Sequence, residues 1–283
     1  MTTPIAPGPL AGPRLWDLAA PGYEREVAPA LALFCEEALR LARVGPGTRV
    51  ADVACGPGSL SFAAADRGGR VSALDVSPEM IALLRARAAR EEGAAASGAR
   101  EGAGSVLAQV GDGMALPWPD GAFDAALSMF GLIFFPDRAS GLAELRRVLR
   151  PGGRAVISSW VPADRVPVLA EIWAVLDAEL PAGPYSRARP ALGDAAELRV
   201  ALECAGFGEV DVHEVRREVE VPSATEYWRS LERSTPPMLA TREALPAERW
   251  AELSARIARR IEDRFGPGPQ RLALVALLGA GTR

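Results

Sequence analysis

The sequence predicts an α/β fold built on a mostly parallel sheet with helices on both faces. Short apolar runs alternate with helical patterns from position 49 to position 160, which is typical of strands joined by crossover helices. The runs are nearly all apolar, as strands buried on both faces are. With 283 residues, 49% of them hydrophobic and 24% charged, the chain has the composition of a globular protein. We interpret residues 1–283 as a single domain.

An N-terminal helical segment is predicted over residues 10–44, before the core of the sheet over 45–160. Five apolar runs in that core are the expected strands, because each is short and bounded by glycine, proline or polar residues. They are residues 49–55, 70–76, 105–110, 123–130 and 154–160.

Cap residues mark the starts of two helices in the core. Ser77, followed by a proline and a glutamate, predicts one start. Asp137 predicts the other, and we expect that helix to end at the Pro-Gly-Gly sequence of 151–153. The segment 91–104 has no periodicity and is rich in small residues, so we predict a loop there.

Beyond residue 160 the pattern predicts two insertions that fold over one edge of the sheet as a lid. The first contains an apolar helix over 166–180 and a loop over 181–190. The predicted segments are a lid insertion over 161–194, a helix and strand over 195–221, a helical lid over 222–267 and a final strand over 268–283.

Several classes of chemistry are excluded by residues that the chain lacks. It has no lysine and no asparagine, so all 32 basic side chains are arginine. A P-loop, a pyridoxal Schiff base and a protein kinase each need a lysine. The single histidine, His213, excludes a multi-histidine metal site, and the three cysteines form no Cys-x-x-Cys pair, so we predict no metal.

The composition also favours a cytoplasmic protein with no membrane or nucleic-acid partner. No apolar run approaches the roughly 18 residues of a membrane span. The first 13 residues lack the features of a signal peptide, and the sequence pI near 5.3 differs from that of a typical nucleic-acid-binding domain.

The turn after the first strand carries the strongest local signal of a ligand site. Gly56 and Gly58 lie there, where the absence of a side chain lets the backbone approach a ligand. Asp75 ends the next strand, about 20 residues later, as a carboxylate that accepts ribose hydroxyls does. A nicotinamide-dependent oxidoreductase fits less well, because Ser61 occupies the position of the third glycine of G-x-G-x-x-G.

Five motifs resemble, in order, those of the class I S-adenosylmethionine-dependent methyltransferases. The likeness is greatest to the small-molecule subgroup that includes the quinol-ring C-methyltransferases, although the segment 127–137 departs from the quinone-enzyme version. The resemblance implies a Rossmann-like, doubly wound, mostly parallel sheet of seven strands with the last strand antiparallel, plus helical lid insertions. The motifs are VADVACGPG at 50–58, LDVSPEM at 74–80, GDGMALPWPDGAFDAALSMF at 111–130, ELRRVLRPGGRAVIS at 144–158 and AGFGEVDV at 205–212.

The same resemblance implies that S-adenosyl-L-methionine is the cofactor and that 45–160 binds it. The implied cofactor-binding residues, in chain order, are Tyr23, Asp52, Ala54, Gly56, Gly58, Asp75, Val76, Met80, Asp112, Gly113, Met114, Ser128, Met129 and Phe130. Two alternatives stay open at this point. Asp52 is either a ligand of the methionine end or an organiser of the loop, and Tyr23 either closes over the methyl donor or packs in the core.

The implied activity is methyl transfer to O, N or C of a small, largely hydrophobic or aromatic acceptor, such as a specialised metabolite or a quinol-like ring. In-line displacement from a sulfonium needs alignment and exclusion of water more than a strong base. The catalytic residue stays unknown, with Tyr23, Phe130 and His213 as candidates. A surface or structural role is the alternative for His213.

Aromatic residues cluster in the segments expected to cover the pocket, which favours an apolar acceptor if some of them face inward. The alternative function is a non-catalytic S-adenosylmethionine-binding or scaffolding protein of the same fold. The sequence leaves a homodimer open. The aromatic residues are Trp16, Tyr23, Phe134, Phe135, Trp173, Tyr185, Tyr227 and Trp228.

Overall fold

A computed structural model describes residues 10–96, 104–180 and 191–283. The predicted loop over 181–190, with Tyr185, lies outside the described residues, as do residues 97–103 of the predicted loop over 91–104. Within the described ranges, no helix is long and apolar enough to cross a membrane.

The described strands form one seven-stranded sheet in the order β3-β2-β1-β4-β5-β7-β6. Neighbouring strands run parallel, except that β7 is antiparallel to both β5 and β6. This confirms the predicted fold class. The strands are β1 (Arg49–Val53), β2 (Arg70–Asp75), β3 (Ser105–Val110), β4 (Phe123–Ser128), β5 (Leu149–Trp160), β6 (Gly208–Val221) and β7 (Gln270–Thr282).

Helices cover both faces of this sheet. One apolar cluster joins α2, α3 and α4 to the strands, and a second joins α5, α6, α7, α8 and α10 to the opposite face. The helices are α1 (Arg14–Glu26), α2 (Ala28–Leu41), α3 (Ser59–Asp66), α4 (Pro78–Ala96), α5 (Arg138–Val148), α6 (Pro167–Glu179), α7 (Ala195–Cys204), α8 (Ala224–Ser234), α9 (Pro236–Glu243) and α10 (Ala247–Phe265).

The strand order reverses direction at β1, which lies between β2 and β4. Ala51 and Val53 of β1 are fully buried, because helices cover the sheet on either side. At such a switch point the loops after two adjacent strands diverge and leave a crevice at their carboxyl ends. The fold therefore places a ligand crevice beyond β1 and β4.

Two sequence predictions about element boundaries are wrong. Helix α4 continues to Ala96, so residues 91–96 are helical rather than a loop; alanine has the highest helix propensity, which explains the extension. Helix α5 already ends at Val148, and residues 151–153 belong to β5 instead of forming the end of that helix. There the amide of Gly152 donates to the carbonyl of Arg283, and the amide of Arg283 donates to the carbonyl of Gly153, so pairing with the chain end extends the strand.

Helix α1 contacts α2 and α4 from the first half of the chain and α8 and α9 from the second half. Leu15 and Ala19 of α1 pack with Leu239 and Ala240 of α9 in a small separate cluster. Thus the N-terminal segment and the predicted lid over 222–267 meet in one layer.

Candidate functional site

A pocket lies beyond the carboxyl ends of β1, β2 and β4. It is where the switch in strand order predicts a ligand site. Eleven of the fourteen residues predicted to hold the cofactor line it. They are Tyr23, Ala54, Gly56, Asp75, Val76, Met80, Asp112, Gly113, Met114, Met129 and Phe130.

The loop after β1 has left-handed backbone at three positions: Ala54 (φ 58°), Gly56 (φ 53°) and Gly58 (φ 90°). A left-handed alanine is unfavourable, so the surrounding contacts must stabilise it. Gly58 does not line the pocket. A Cβ at Gly58 would lie 2.9 Å from the side chains of Leu84 and Phe62, so a glycine there lets α3 and α4 pack closely.

Asp75 holds this loop against the next one. One carboxylate oxygen accepts from the amide of Gly56 at 2.8 Å, and the other accepts from the amide of Ser77 at 2.9 Å. Burial raises the pKa of Asp75, and hydrogen bonds from the amides of Ser77 and Gly56 oppose that shift. Since each carboxylate oxygen has a further lone pair, Asp75 can still accept from a ligand.

Asp52 lies beneath the loop and does not line the pocket. Its carboxylate accepts from the hydroxyl of Ser61 at 2.6 Å, which ties β1 to α3. Burial raises the pKa of Asp52 to about 7; the bond from Ser61 opposes the shift and the nearby charge of Asp75 adds to it. These contacts favour the second of the two sequence interpretations, in which Asp52 organises the loop.

The end of β4 faces the same loop across the switch point. Phe130 has left-handed backbone (φ 60°), which is rare for a bulky residue, and its amide donates to the hydroxyl of Ser158 at 2.8 Å. Its ring stacks on Trp160 with centroids 4.2 Å apart, so the ring packs in the core. Any side chain on Gly131 would clash with the Cβ of Ala54.

Ser128 supports this turn from below. Its buried hydroxyl accepts from the amide of Leu132 at 3.2 Å, within a short 3₁₀ helix (Leu132–Phe134), and Ser128 does not line the pocket. The side chain therefore fixes the turn after β4.

A third loop closes the side of the pocket beyond β3. The carboxylate of Asp112 accepts from the amide of Met114 at 2.8 Å, which fixes the turn between them. A Cβ at Gly113 would meet the ring of Phe135 (Cε2 at 2.6 Å) and the Val53 side chain (Cγ1 at 3.0 Å). Glycine is therefore required where this loop passes the aromatic ring.

We name the loops after β1, β2, β3 and β4 (54–58, 75–77, 111–114 and 129–131) the cofactor floor. We name Trp16, Tyr23 and Phe134 the aromatic roof, because they come from α1 and from the 3₁₀ helix and line the opposite side. The Trp16 ring packs edge-to-face on Phe134 at 5.1 Å and on Tyr23 at 6.4 Å. Burial, and secondarily the charge of Asp75, raises the pKa of Tyr23 well above its usual value.

Other residues singled out in the sequence lie elsewhere. His213 is on β6, which is separated from β5 by β7. Trp228 is fully buried and donates its indole N–H to Ser254 at 3.2 Å. Among the described residues, neither these two nor Trp173 and Tyr227 lines the pocket.

Sequence reasoning missed five residues that line the pocket. The Gly131 backbone had a signal, because glycine directly follows the fourth strand of the motif. The others are apolar residues with no distinguishing pattern. The five are Leu10, Ala11, Leu74, Gly131 and Pro136.

The charged side chains in the described lining of the pocket are all acidic. Asp75 and Asp112 carry carboxylates, and no arginine or histidine lies among the described residues of the lining. The described part of the chain also holds no cluster of three or more potential metal-ligating side chains. Since like charges repel and opposite charges attract, the lining favours a cationic ligand over an anionic one.

Comparison with known proteins gives a family match over the sheet. The methyltransferase domain family matches residues 51–157. An uncharacterised protein of Mycobacterium tuberculosis is 39% identical over 120 residues, which are 42% of this chain and 39% of that protein. Nocamycin O-methyltransferase of Saccharothrix syringae is 33% identical over 195 residues, which are 63% of this chain and 66% of that enzyme. The chain thus spans less than half of the first relative and about two thirds of the second.

Solved structures share the fold at low sequence identity. The [4+2]-cyclase SpnF matches with a TM-score of 0.60 and 21% identity, over 98% of this chain and 97% of that one. The YcgJ protein of Bacillus subtilis matches with a TM-score of 0.55 and 18% identity, over 90% of this chain and 98% of that one. At these identities the likeness shows the fold alone.

The order of the sheet, the pocket at its switch point and the matched domain agree with one another. Two carboxylates and three glycine-rich turns stand where the motifs place them. S-adenosylmethionine is the cofactor of proteins with this domain. Over residues 51–157 the chain belongs to the methyltransferase domain family, and its fold is that of the class I S-adenosylmethionine-dependent methyltransferases.

Proposed function

We propose that the protein transfers a methyl group from S-adenosylmethionine to an oxygen atom of a small, largely apolar acceptor in the cytoplasm. The observation that carries the proposal is the pocket, which has carboxylates on its floor and aromatic rings on its roof. Oxygen is favoured over nitrogen or carbon because a curated relative, 33% identical, is an O-methyltransferase.

In this proposal Asp75 accepts the ribose hydroxyls, and Val76 and Met80 contact the adenine. The hydrogen bonds of Asp75 support its assignment to the ribose. Its two carboxylate oxygens already accept from the amides of Gly56 and Ser77, in loops that both border the pocket. Asp112 accepts from the adenine amino group, and the Met114 backbone lies beside it. The backbone from Ala54 to Gly56 and the turn at Phe130 enclose the methionine end.

The charge of the lining supports this cofactor against a dinucleotide. S-adenosylmethionine carries a sulfonium, an ammonium and a carboxylate and is net positive, whereas the pyrophosphate of a nicotinamide dinucleotide is anionic. The described lining offers carboxylates and no basic side chain. A cationic ligand relieves the unfavourable burial of the Asp75 charge, and an anionic one increases it.

The lining also limits how the acceptor reacts. When bound, the cofactor supplies an electrophilic methyl group for in-line displacement. Tyr23 is a poor base, because its pKa is raised well above the usual value. The carboxylate of Asp75 is engaged by two amides, and the thiol of Cys55 is buried with its pKa well above normal. We therefore infer that the acceptor oxygen is already ionised when it binds, as in a carboxylate, an acidic enol or an acidic phenol. In a lining without basic side chains, the sulfonium of the bound cofactor offsets this negative charge.

The protein then contributes alignment and exclusion of water. Trp16 and Phe134 cover the pocket with apolar surface, so an acceptor with an apolar body displaces water from them. The ring of Phe130 packs on Trp160 in the core and leaves the switch point free for the reaction. This arrangement argues against the alternative of a non-catalytic protein whose pocket is filled by Phe130.

Calorimetry with S-adenosylhomocysteine tests the cofactor. We expect saturable binding, and no binding of NADH under the same conditions. Absence of S-adenosylhomocysteine binding at millimolar concentration would contradict the proposal.

Incubation with methyl-labelled S-adenosylmethionine and matched acceptors tests the reaction. Naphthoic acid, hydroxynaphthoquinone and naphthol share an apolar body and differ in how readily they ionise. We expect labelling of the first two at pH 7 and little labelling of naphthol. Labelling of naphthol alone would contradict the inferred ionised acceptor, and cofactor binding with no labelling would favour the scaffolding alternative.

A further inference from the structure

Helix α1 is joined to the cofactor floor by one carboxylate that neither the motifs nor the matched domain includes. Asp17 lies on α1, and one of its oxygens accepts from the hydroxyl of Ser77 at 2.6 Å and from the amide of Glu79 at 3.2 Å. Ser77 and Glu79 belong to the loop and first turn that lead from β2 into α4. The carboxylate thus comes from one helix and caps the positive end of another.

The same loop carries Asp75, is part of the cofactor floor and makes two further hydrogen bonds. The hydroxyl of Ser77 also accepts from the amide of Met80 at 3.1 Å, and the amide of Ser77 donates to Asp75. Asp75 in turn accepts from Gly56. A continuous chain of hydrogen bonds therefore runs from α1 through Ser77 to both sides of the ribose position.

Helix α1 also contacts α2 and α4, and its attachment to α8 and α9 combines apolar packing with ion pairs. Leu15 and Ala19 pack in the apolar cluster with α9. Glu26 accepts from Arg233 at 2.8 Å and from the hydroxyl of Ser234 at 3.0 Å, both at the end of α8. Because these contacts combine apolar burial with ion pairs, we expect α1, α8 and α9 to move together.

We propose that Asp17 is a latch that fastens this lid of α1, α8 and α9 to the cofactor floor, so that closing the lid and binding the cofactor stabilise one another. This proposal rests on the proposed function, because it takes the pocket as the cofactor site. Asp17 is a positioning residue: it acts through Ser77 and Asp75 and does not line the pocket.

The position of Asp17 between two roof residues explains how the coupling operates. Trp16 precedes it, and Tyr23 lies on the same helix; both line the pocket. When Asp17 is bonded to Ser77, those rings are held over the pocket, so a ligand leaves only after the bond opens. Thermodynamic linkage makes this coupling reciprocal. If the bond between Asp17 and Ser77 raises the affinity for a ligand by some factor, then the bound ligand favours formation of that bond by the same factor.

The experiment compares Asp17→Ala with Asp194→Ala. Asp194 also caps a helix N-terminus, accepting from the amides of Ala196 and Glu197 in α7, which contributes nothing to the pocket lining. Both variants lose a capping carboxylate, but only Asp17 joins the lid to the floor. Asp17→Asn keeps an acceptor oxygen and removes the charge, so it serves if Asp17→Ala does not fold.

The readouts are the dissociation rate of S-adenosylhomocysteine by stopped flow and amide hydrogen exchange of α1 with and without that ligand. We expect Asp17→Ala to release the ligand roughly tenfold faster, equivalent to about 1.4 kcal/mol. We also expect it to abolish the ligand-dependent protection of α1. Asp194→Ala should lower the melting temperature but keep the wild-type release rate and protection. Asp17→Asn should lie between wild type and Asp17→Ala.

Equal release rates and equal α1 protection in Asp17→Ala and Asp194→Ala would overturn the latch while leaving cofactor binding intact. Failure of the wild-type protein to bind S-adenosylhomocysteine would instead remove the proposed function. In that case the free proteins decide on the latch. Faster exchange of α1 in Asp17→Ala than in wild type and Asp194→Ala supports the fastening role, and unchanged exchange contradicts it.

Discussion

The cofactor floor and the aromatic roof face each other across one pocket but are held in place by different physics. The floor consists of backbone turns at strand ends, fixed by short hydrogen bonds to Asp75 and Ser158. The roof consists of rings on α1 and on the 3₁₀ helix, in edge contacts at 5.1 and 6.4 Å. The floor is thus specified by local sequence, and the roof by packing between distant segments.

The largest effect is expected where two loops of the floor nearly touch. Gly131→Ala would place a Cβ against the Cβ of Ala54, with the Ala54 carbonyl at 3.3 Å and the Ser128 hydroxyl at 3.4 Å. Overpacking of this kind costs about 1–3 kcal/mol. We expect S-adenosylhomocysteine affinity to fall by more than about tenfold, together with the melting temperature, as measured by calorimetry and thermal unfolding.

The matched control for this prediction is the double variant Ala54→Gly with Gly131→Ala. It removes the opposing Cβ, and glycine adopts the left-handed backbone of position 54 without strain. Most of the lost affinity should return. A double variant as weak as Gly131→Ala would show that the clash is not the cause.

The second largest effect is expected from Asp75→Ala, which removes the carboxylate that joins two loops of the floor. Hydrogen bonds to a charged group contribute about 1.5–3 kcal/mol, so we expect S-adenosylhomocysteine affinity to fall by roughly 1 to 3 kcal/mol. Calorimetry measures the loss. An unchanged affinity would mean that the ribose lies elsewhere in the pocket.

The second of these predictions concerns a residue that sequence reasoning singled out, whereas Gly131 was missed. The turn at Gly56, the acid at Asp75 and the turn after Asp112 lie within short segments, where the order of strand, glycine and acid defines the geometry. The fold class, with its antiparallel last strand, followed from the resemblance that the same motifs carry. The assignments of single residues to parts of the cofactor stay predictions.

Sequence reasoning was weaker wherever a side chain's position depends on distant contacts. Asp52 and Ser128 belong to the motifs, yet they turn away from the pocket to bond with Ser61 and Leu132. Asp17 was not singled out, because its partner Ser77 is 60 residues away in the sequence. Contacts of that separation leave no periodic or spacing signal.

The third prediction concerns the roof. Trp16→Ala removes the ring that packs on both Phe134 and Tyr23, and aromatic pairs contribute about 0.5–1.5 kcal/mol. We expect the KM for an acceptor found in the labelling experiment to rise by about threefold to tenfold. The affinity for S-adenosylhomocysteine should change less than it does in Asp75→Ala.

Two further variants sharpen this test of the roof. Trp16→Phe keeps an aromatic face and should recover most of the acceptor affinity. Trp118→Ala removes an aromatic ring that packs on Phe123, outside the pocket lining, and should leave the KM unchanged. A larger loss of cofactor affinity than of acceptor affinity in Trp16→Ala would refute the division between floor and roof.

The smallest effect is expected from lowering the pH. Acid should weaken the attachment of α1 through Glu26 and favour the native state of the loop above Asp52. Burial of Glu26 opposes its ionisation, but hydrogen bonds from Arg233, Arg25 and neighbouring serines outweigh it and lower its pKa to about 2. In the unfolded chain the pKa of a glutamate is about 4.3, so the ionised Glu26 stabilises the folded state above that pH. This stabilisation is lost as the pH falls towards 2. For Asp52 the pKa is raised to about 7, so acid favours its native form instead.

Between pH 5 and pH 3 we therefore expect α1 to loosen from α8 while the loop above Asp52 stays protected. Hydrogen exchange, corrected for the intrinsic pH dependence, measures both segments in one experiment. Glu26→Gln should reduce the pH dependence of α1 opening to what Asp17 and the Arg14–Glu243 pair contribute, since the amide does not titrate, and leave the loop unaffected. Simultaneous opening of both segments would show that Glu26 is not what holds the roof at neutral pH, because loss of its charge alone acts on α1 and not on the floor.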